Sequence, residues 1–424
     1  MTGRPRILVV AHNHPAFHPG GTEIVAHDLF LAYKRAGWDA LFLAATNQVH
    51  REARPGTSFQ AVGDAPDELV LWAGHFDRFA LSQIDLHGVV PDLIGLLEQF
   101  RPDVVEIHHL LLVGAEFPAL VRRVLPDARI VFMLHDYYPI CANEGLMVRT
   151  KDHSRCLDAS PDRCHACFPE ISAASFRLRE INLKSHLAAV DSFISPSQFL
   201  KDRYVDWGIP AARIEVIENG HPAGQPVPHR GSPYATRNVF GYFGNLNPWK
   251  GVNVLLDACR ILEDADVEFE LRVHGAALFQ GDSFTSDLEA AFARAGGNIQ
   301  RLGQYGRADV SSLMAAVDWV IVPSVWWENA PLTIGEARFH GRPVIASGIG
   351  GMAELVDDER TGLHVRPGDA RDLARVMQRC AEDAGLWRRL ASASTRPPST
   401  DDVAARHLAV FRGRSAGFGA LVAA

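Results

Sequence analysis

Two carboxylates, Glu328 and Glu336, stand with seven residues between them in the stretch 326–354, W-W-E-N-A-P-L-T-I-G-E-A-R-F-H-G-R-P-V-I-A-S-G-I-G-G-M-A-E. A strand predicted over 319–322 runs into the loop that carries Glu328. Pro331 suits the first position of a helix, where its missing N–H is not needed. The apolar run from Leu332 continues that helix to about Phe339, and Gly341 ends it. Free N–H groups at a helix start, reinforced by the dipole, bind anions. A carboxylate ahead of such a helix and a second one inside it are instead suited to accept hydrogen bonds from hydroxyls. Amides for a diphosphate and carboxylates for sugar and ribose hydroxyls describe a nucleotide-sugar site. The plain alternative is that both glutamates only complement the helix dipole.

Further polar residues fall where strands should end. His108 and His109 follow a strand expected at 103–107, and His135 and Asp136 follow one at 129–134. In open α/β sheets ligands sit beyond the C-terminal strand edges. Consecutive residues there point opposite ways, so one of His108 and His109 should face the ligand. Gly20 and Gly21, after a strand at 7–10, let backbone approach a ligand closely and open a helix that ends at Gly37. Four of the six cysteines lie close together, Cys141, Cys156, Cys164 and Cys167, the last two with C-x2-C spacing. Thiolates so grouped can hold a tetrahedral metal, with His153 or His165 as substitute ligands. A structural zinc is the leading reading, and four reduced thiols packing a loop is the alternative. The one D-x-D, Asp264-Ala265-Asp266, lies between a helix and the start of a strand and reads as a solvated turn.

The stretch around Glu328 and Glu336 resembles the E-x7-E motif of retaining glycosyltransferases of family 4, which have the GT-B fold. The resemblance implies that Glu328 meets the donor sugar and Glu336 the ribose. The segment G-Y-F-G-N-L-N-P-W-K-G resembles the family's G-R-L-x-x-x-K-G, placing Lys250 on the donor diphosphate and Asn245 where an arginine usually stands. Glu106-Ile107-His108 resembles the family's H-x-H, with His108 in the catalytic position. The segment 300–305 resembles the strand end that lines the base pocket and includes Tyr305. The expected catalytic residues are therefore His108, Glu328 and Lys250. The expected donor set is Gly20, Gly21, Asn245, Lys250, Tyr305, Glu328, Asn329, Ala330, Pro331, Leu332 and Glu336. His109, His135 and Asp136 are expected on the acceptor side. The resemblance implies no cofactor for catalysis.

The chain has 424 residues and net charge −8, with no basic block, which excludes a general nucleic-acid binder. Only five of its 42 basic residues are lysines, so lysine at 250 hints at a point charge on phosphate. The first apolar run is too short for a signal peptide, and none approaches the ~18–20 residues of a membrane span. A cytoplasmic protein is expected, peripheral association with a membrane being left open. The fold expected is α/β: two Rossmann-like doubly wound domains facing a central cleft. The first covers 1–222 and contains the cysteine insert 141–167, and a Pro- and Gly-rich linker covers 223–235. The second covers 236–395, a final helix at 396–412 returns to the first domain, and 413–424 is a tail. Residues 51–90 read as loops with short elements, and 369–390 as one long helix.

The function expected is transfer of a sugar from a nucleotide-sugar to a hydroxyl of a sugar, glycan or lipid-linked acceptor, with retention of configuration, in polysaccharide or glycoconjugate synthesis. A nucleotide-sugar epimerase of the same fold and a non-catalytic nucleotide- or glycan-binding module are the rivals. Turnover of a donor and analysis of the product separate all three.

Overall fold

The computed structural model describes residues 4–229, 236–278 and 280–413. It divides into two compact units. Unit 1 takes the described residues up to Pro222 together with those from Ser399 on, and unit 2 runs from Ala223 to Pro398. Part of the expected linker, 230–235, lies outside the described residues, as does the tail beyond 413.

Unit 1 is built on β1 (Arg6–His12), β2 (Asp39–Thr46), β3 (Phe59–Val62), β4 (Ala65–Trp72), β7 (Val104–Ile107), β8 (Arg129–Met133), β9 (Ser192–Ser195) and β10 (Ile214–Val216). A separate pair, β5 (Phe76–Asp77) and β6 (Ser82–Gln83), forms a small hairpin ladder. The main sheet runs β10-β9-β8-β7-β1-β2-β4-β3, parallel except for the edge strand β3. Its centre is apolar without alternation: Ile7, Leu8, Val9, Val10, Val105 and Ile107 are all nearly or wholly buried. That is the pattern of a parallel sheet covered on both faces.

The stretch expected as loops holds a real sheet strand. β4 pairs in parallel with β2 from Phe42–Glu68 to Thr46–Trp72. Its sequence A-P-D-E-L-V-L-W begins with polar residues, and only Val70 and Leu71 are buried. A strand next to the edge need not show a continuous apolar run.

The first helix, Gly21–Arg35, lies beside the last one, Thr400–Phe411. The last helix starts on a capping box: the Ser399 hydroxyl oxygen accepts from the Asp402 N–H, and the Asp402 carboxylate accepts from the Ser399 N–H. Arg35 pairs with Asp401 at 2.6 Å, and the Tyr33 and Phe411 rings meet at 5.7 Å. The amide of Thr400 donates to the carbonyl of His221, tying the returning chain to the place where it left the unit.

Unit 2 contains β11 (Val239–Phe243), β12 (Glu270–His274), β13 (Ile299–Gly303), β14 (Trp319–Val322), β15 (Val344–Ser347) and β16 (Gly362–Val365), all parallel, in the order β13-β12-β11-β14-β15-β16. This is the doubly wound 3-2-1-4-5-6 order, whose topological switch point lies between its first and fourth strands, here β11 and β14. In unit 1 the same reversal falls between β1 and β7.

The single helix expected over 369–390 is two, Ala370–Glu382 and Ala384–Ala393. Asp383 leaves helical geometry (φ −114°, ψ 88°), and its carboxylate accepts from the Leu386 N–H. A residue that caps a new helix ends the old one.

Candidate active site

At the switch point of unit 2, the turn after β11 and the loop after β14 come together. The Lys250 Nζ donates to Glu328 Oε1 at 2.6 Å. The Ser324 hydroxyl donates to the same oxygen at 2.8 Å and the Trp326 indole N–H at 3.1 Å. Glu328 is only 7 % exposed, so the three donors supply what water would have supplied. None of the described hydrogen bonds uses Oε2.

Close backbone contact locks the two loops. The Val325 amide donates to the Trp249 carbonyl at 2.8 Å. Gly251 has φ +73°, and a Cβ there would sit 2.0 Å from the Pro323 oxygen. Behind them, the Gly351 amide donates to the Glu328 carbonyl at 2.8 Å, and a Cβ on Gly351 would sit 1.7 Å from the Asn329 oxygen. Only glycine fits at these two positions. The glycine pair 350–351 therefore holds the Glu328 loop from the far side.

The helix that carries Glu336 is Leu332–Phe339, one residue later than expected. Pro331 is its N-cap, with ψ 123°, and not its first helical residue. Burial pushes the Glu336 carboxyl up to about 7, with Arg307 pulling it down. Tyr305 is pushed up by burial and then by the charge of Glu336, so the two share one environment. The Tyr305 ring meets Phe243 edge-on at 5.9 Å, and Phe243 stacks on His274 at 4.9 Å with 5° between the planes. These aromatic rings stand at the ends of β11, β12 and β13, a stacked pair with Tyr305 edge-on to both.

Asn245 stands in the turn after β11. Its Oδ1 accepts from the Leu278 N–H at 3.0 Å, and its Nδ2 faces the Leu278 carbonyl at 3.4 Å. The side chain clasps the backbone after β12.

In unit 1 the residues around the β1/β7 switch form a nest of histidines. His108 is 1 % exposed; its Nδ1 lies 2.9 Å from His135 Nε2 and its Nε2 3.4 Å from Glu106 Oε2. His109 turns the other way, as the strand alternation requires, with Nε2 2.8 Å from Asp136 Oδ2 and its ring 4.0 Å from that of His12. His12 Nε2 in turn lies 3.3 Å from Glu23 Oε1. Gly20 is the N-cap of the first helix, and a Cβ there would stand 2.4 Å from Glu23 Oε2. Burial, followed by neighbouring histidines, holds His12 and His135 well below the ordinary histidine value. Burial pushes Glu23 up to about 8. Near pH 7 His12 and His135 are therefore neutral and Glu23 keeps its proton, so these three groups hydrogen-bond without carrying charge.

Among the described residues, one set of His, Cys, Asp or Glu donors lies within 4.8 Å of one another: His14, His27 and Glu68. Both imidazole Nε2 atoms approach Glu68 Oε2, at 2.7 and 3.1 Å. The Ala16 amide donates to His14 Nδ1, so the hydrogen of that ring sits on Nε2. That tautomer is a hydrogen-bond donor to Glu68 and has no lone pair there for a metal.

The four clustered cysteines are free and partly buried. Cys164 and Cys167 lie in the helix Pro161–Cys167. Burial and then Cys141, Cys156 and Cys167 push the Cys164 thiol up to about 11, so the four share one neighbourhood. The donor type suits zinc, although the sulfurs as placed are not gathered to ligand distance.

Residues 19–223 match the Glycosyltransferase Family 4 profile, and residues 237–383 match Glycosyl transferases group 1. This chain is a glycosyltransferase of the family 4 type, with the GT-B fold. It is similar to a glycogen synthase of Mycobacterium tuberculosis, 25% identical over 417 residues that cover 93% of this chain and 91% of that one. A D-inositol 3-phosphate glycosyltransferase of Corynebacterium glutamicum is 34% identical over 161 residues, 37% of this chain and 38% of that one. Among solved structures, HepE of Anabaena in complex with UDP and glucose superposes with TM-score 0.68 at 19% identity, covering 97% of this chain and 100% of that one. Sucrose-phosphate synthase of Thermosynechococcus elongatus gives TM-score 0.70 at 17% identity, covering 97% and 99%.

Several polar groups of this glycosyltransferase escaped sequence reading. Trp326 opens the recognised stretch and Ser324 lies two residues before it, yet nothing in their type announces a bond to Glu328. Glu23, two residues after Gly21, carried a signal in being acidic at a helix start, which normally reads as dipole complement alone. Glu106 and His407 lie 301 residues apart and 2.7 Å from each other, and no local pattern links them.

Proposed function

We propose that unit 2 binds the nucleotide-sugar donor at its β11/β14 switch point, and that the enzyme transfers the sugar with retention to a hydroxyl of a sugar, glycan or lipid-linked acceptor. Polysaccharide or glycoconjugate synthesis is the setting this reading favours. The observation that carries it is the Lys250–Glu328 pair, a cation and a buried carboxylate brought together at the one place in a doubly wound sheet where ligands bind. Lys250 has two further N–H donors for the diphosphate while the third stays on Glu328. Glu328 Oε2 is left for a sugar hydroxyl. Glu336 accepts from the ribose, and the rings of Phe243, His274 and Tyr305 take the base. HepE was crystallised with UDP and glucose and with UDP-glucose, which supports a nucleotide-sugar of that kind.

Retention needs either a covalent partner on the sugar carbon or attack on the face the leaving group departs from. The single carboxylate Glu328, already anchored by three donors, favours the second. The acceptor hydroxyl attacks the anomeric carbon, that carbon's bond to the diphosphate oxygen breaks, and the acceptor proton passes to the departing diphosphate. Lys250 and the amides at the start of the Leu332–Phe339 helix stabilise the charge that develops there. The neutral imidazoles of His12 and His135 suit hydroxyl groups, and His108, buried behind His135, serves the transfer through that neighbour. This route uses no cofactor. Asp264 ends the helix Val252–Asp264 that begins beside Lys250, so the D-x-D lies at the opposite end of the sheet from the donor.

A panel of UDP-, ADP- and GDP-sugars, read by mass spectrometry for transfer, tests the assignment. Glu328→Gln should lower kcat by about 10²–10³ with little change in affinity for the bare nucleotide. Near-normal turnover in that variant would remove Glu328 from the reaction. Glu336→Ala should instead weaken the bare nucleotide by ~1.5–3 kcal/mol.

For the insert we infer a structural zinc held by Cys141, Cys156, Cys164 and Cys167. What supports it is the donor set and its mutual proximity. The metal would replace four thiol protons and draw the loop together, with no part in the transfer.

A further inference from the structure

The C-terminal helix places an imidazole in the middle of unit 1. His407 is fully buried, and its Nδ1 lies 2.7 Å from Glu106 Oε1 and 3.1 Å from the Tyr33 hydroxyl. Glu106 is also fully buried, on β7. Its second oxygen has His108 Nε2 as its neighbour at 3.4 Å, and neither of those two atoms has a closer hydrogen-bond partner. The far nitrogen of His108 continues to His135 at 2.9 Å. Four side chains from three separate stretches of chain thus form one line: His407, Glu106, His108, His135.

The hydrogens along this line follow from the chemistry of its members. An ionised carboxylate only accepts. The hydrogen between His407 and Glu106 is therefore on His407 Nδ1, and the Tyr33 oxygen can share it only as a second acceptor. Likewise the hydrogen between Glu106 and His108 is on His108 Nε2. His108 Nδ1 then carries a lone pair, and His135 Nε2–H donates to it. Burial opposes the charge on Glu106, but His407 and His108 outweigh it and keep the carboxyl well below its ordinary value. A helix recruited only to cover a sheet would need no such group: His407 Nε2 is buried without a partner, which an apolar residue would have avoided.

We propose that His407 is a positioning residue for the transfer reaction: by anchoring Glu106 it fixes the orientation and tautomer of His108, so that the last helix of the chain completes the active site. This rests on the reading that His108 serves the transfer. The role matches that of the carboxylates and carbonyls that orient catalytic and metal-binding histidines elsewhere.

The test compares His407→Phe, which keeps the ring and loses the donor, with His407→Asn, whose amide nitrogen occupies the place of Nδ1. Nitrogen NMR of 15N-histidine-labelled protein reports the His108 tautomer without any ligand. The wild type should show His108 as the Nε2–H form. His407→Phe, folded by thermal melt and with unchanged UDP affinity, should lose that form for a mixture, and His407→Asn should restore it. With the donor found by the panel screen, kcat should fall about tenfold or more in the Phe variant and recover in the Asn variant. If the Phe variant does not fold, His407→Gln replaces it, since its amide reaches the Nε2 position instead, and the same loss is expected. An unchanged His108 tautomer without the donor overturns the proposal, and so does an Asn variant indistinguishable from the donor-less one. A tautomer that shifts while turnover does not would leave the relay standing and remove His108 from the reaction.

Discussion

Lys250 and Glu328, 78 residues apart in sequence, meet at 2.6 Å with the carboxylate buried and the ammonium partly open. Removing the cation should therefore expose the cost of the buried charge. Lys250→Met should destabilise the protein by ~1–3 kcal/mol, less than a fully buried pair would because the ammonium is near water. Adding Glu328→Gln should recover part of that loss, with a coupling of about 1 kcal/mol measured by denaturant unfolding of the two single variants and the double. Simple additivity would show that the pair is not energetically linked.

The glycine behind the Glu328 loop offers a second measurement. Gly351→Ala drives a methyl against the Asn329 carbonyl, and the backbone cannot yield without moving Glu328. A loss of ~1–3 kcal/mol is expected, together with weaker calorimetric binding of whichever nucleotide the donor panel identifies. A variant that matches the wild type in both melting temperature and affinity for that nucleotide would mean that the loop is not held there.

Glu23 makes the stability depend on pH in a defined direction. Its carboxyl is raised to about 8 from an ordinary value near 4.5, so the folded state keeps a proton that the unfolded state releases. The stability this group allows is full below about 4.5, falls as pH rises through the window, and is lowest above about 8. At ~1.4 kcal/mol per unit the upper bound is several kcal/mol. Glu23→Gln cannot ionise. Its melting temperature relative to wild type should climb from pH 5 to pH 9, and a flat difference would contradict the protonated state.

Zinc in the insert is checked by elemental analysis of freshly reduced protein. About one equivalent per chain is expected, and Cys164→Ser with Cys167→Ser should abolish it. Metal-free wild type that folds and melts normally would reduce the insert to packed thiols.

What was readable in advance followed the range of the signal. The turn at Lys250 and the loop and helix from Glu328 to Glu336 are each set by a few adjacent residues: an αL glycine, a proline, an apolar run. The parallel order of unit 2 then brings these pieces together with no further information. At Asn245, position alone could not show that the amide would bond the Leu278 backbone, because a loop 33 residues further on supplies that partner. β4 was hidden because a strand beside the sheet edge keeps a polar first half. His407 was illegible for a different reason: in A-R-H-L it is one more residue of an amphipathic helix, and only tertiary packing places it on Glu106.

The chain leaves unit 1 at Pro222 and comes back at Ser399, which gives that unit an order of assembly. During synthesis the eight-stranded sheet is available to fold long before the ribosome has made its closing helix. Until then Glu106 faces an empty slot, a carboxylate in an apolar sheet with only His108 and the Tyr33 hydroxyl to answer it. Such a state is costly and open to water, and domains made first generally fold first. Here the first unit can only reach its final form last. A transcript cut short anywhere before codon 407 would yield a nearly complete sheet with an under-compensated charge at its centre, and quality control by proteolysis would have a reason to recognise it.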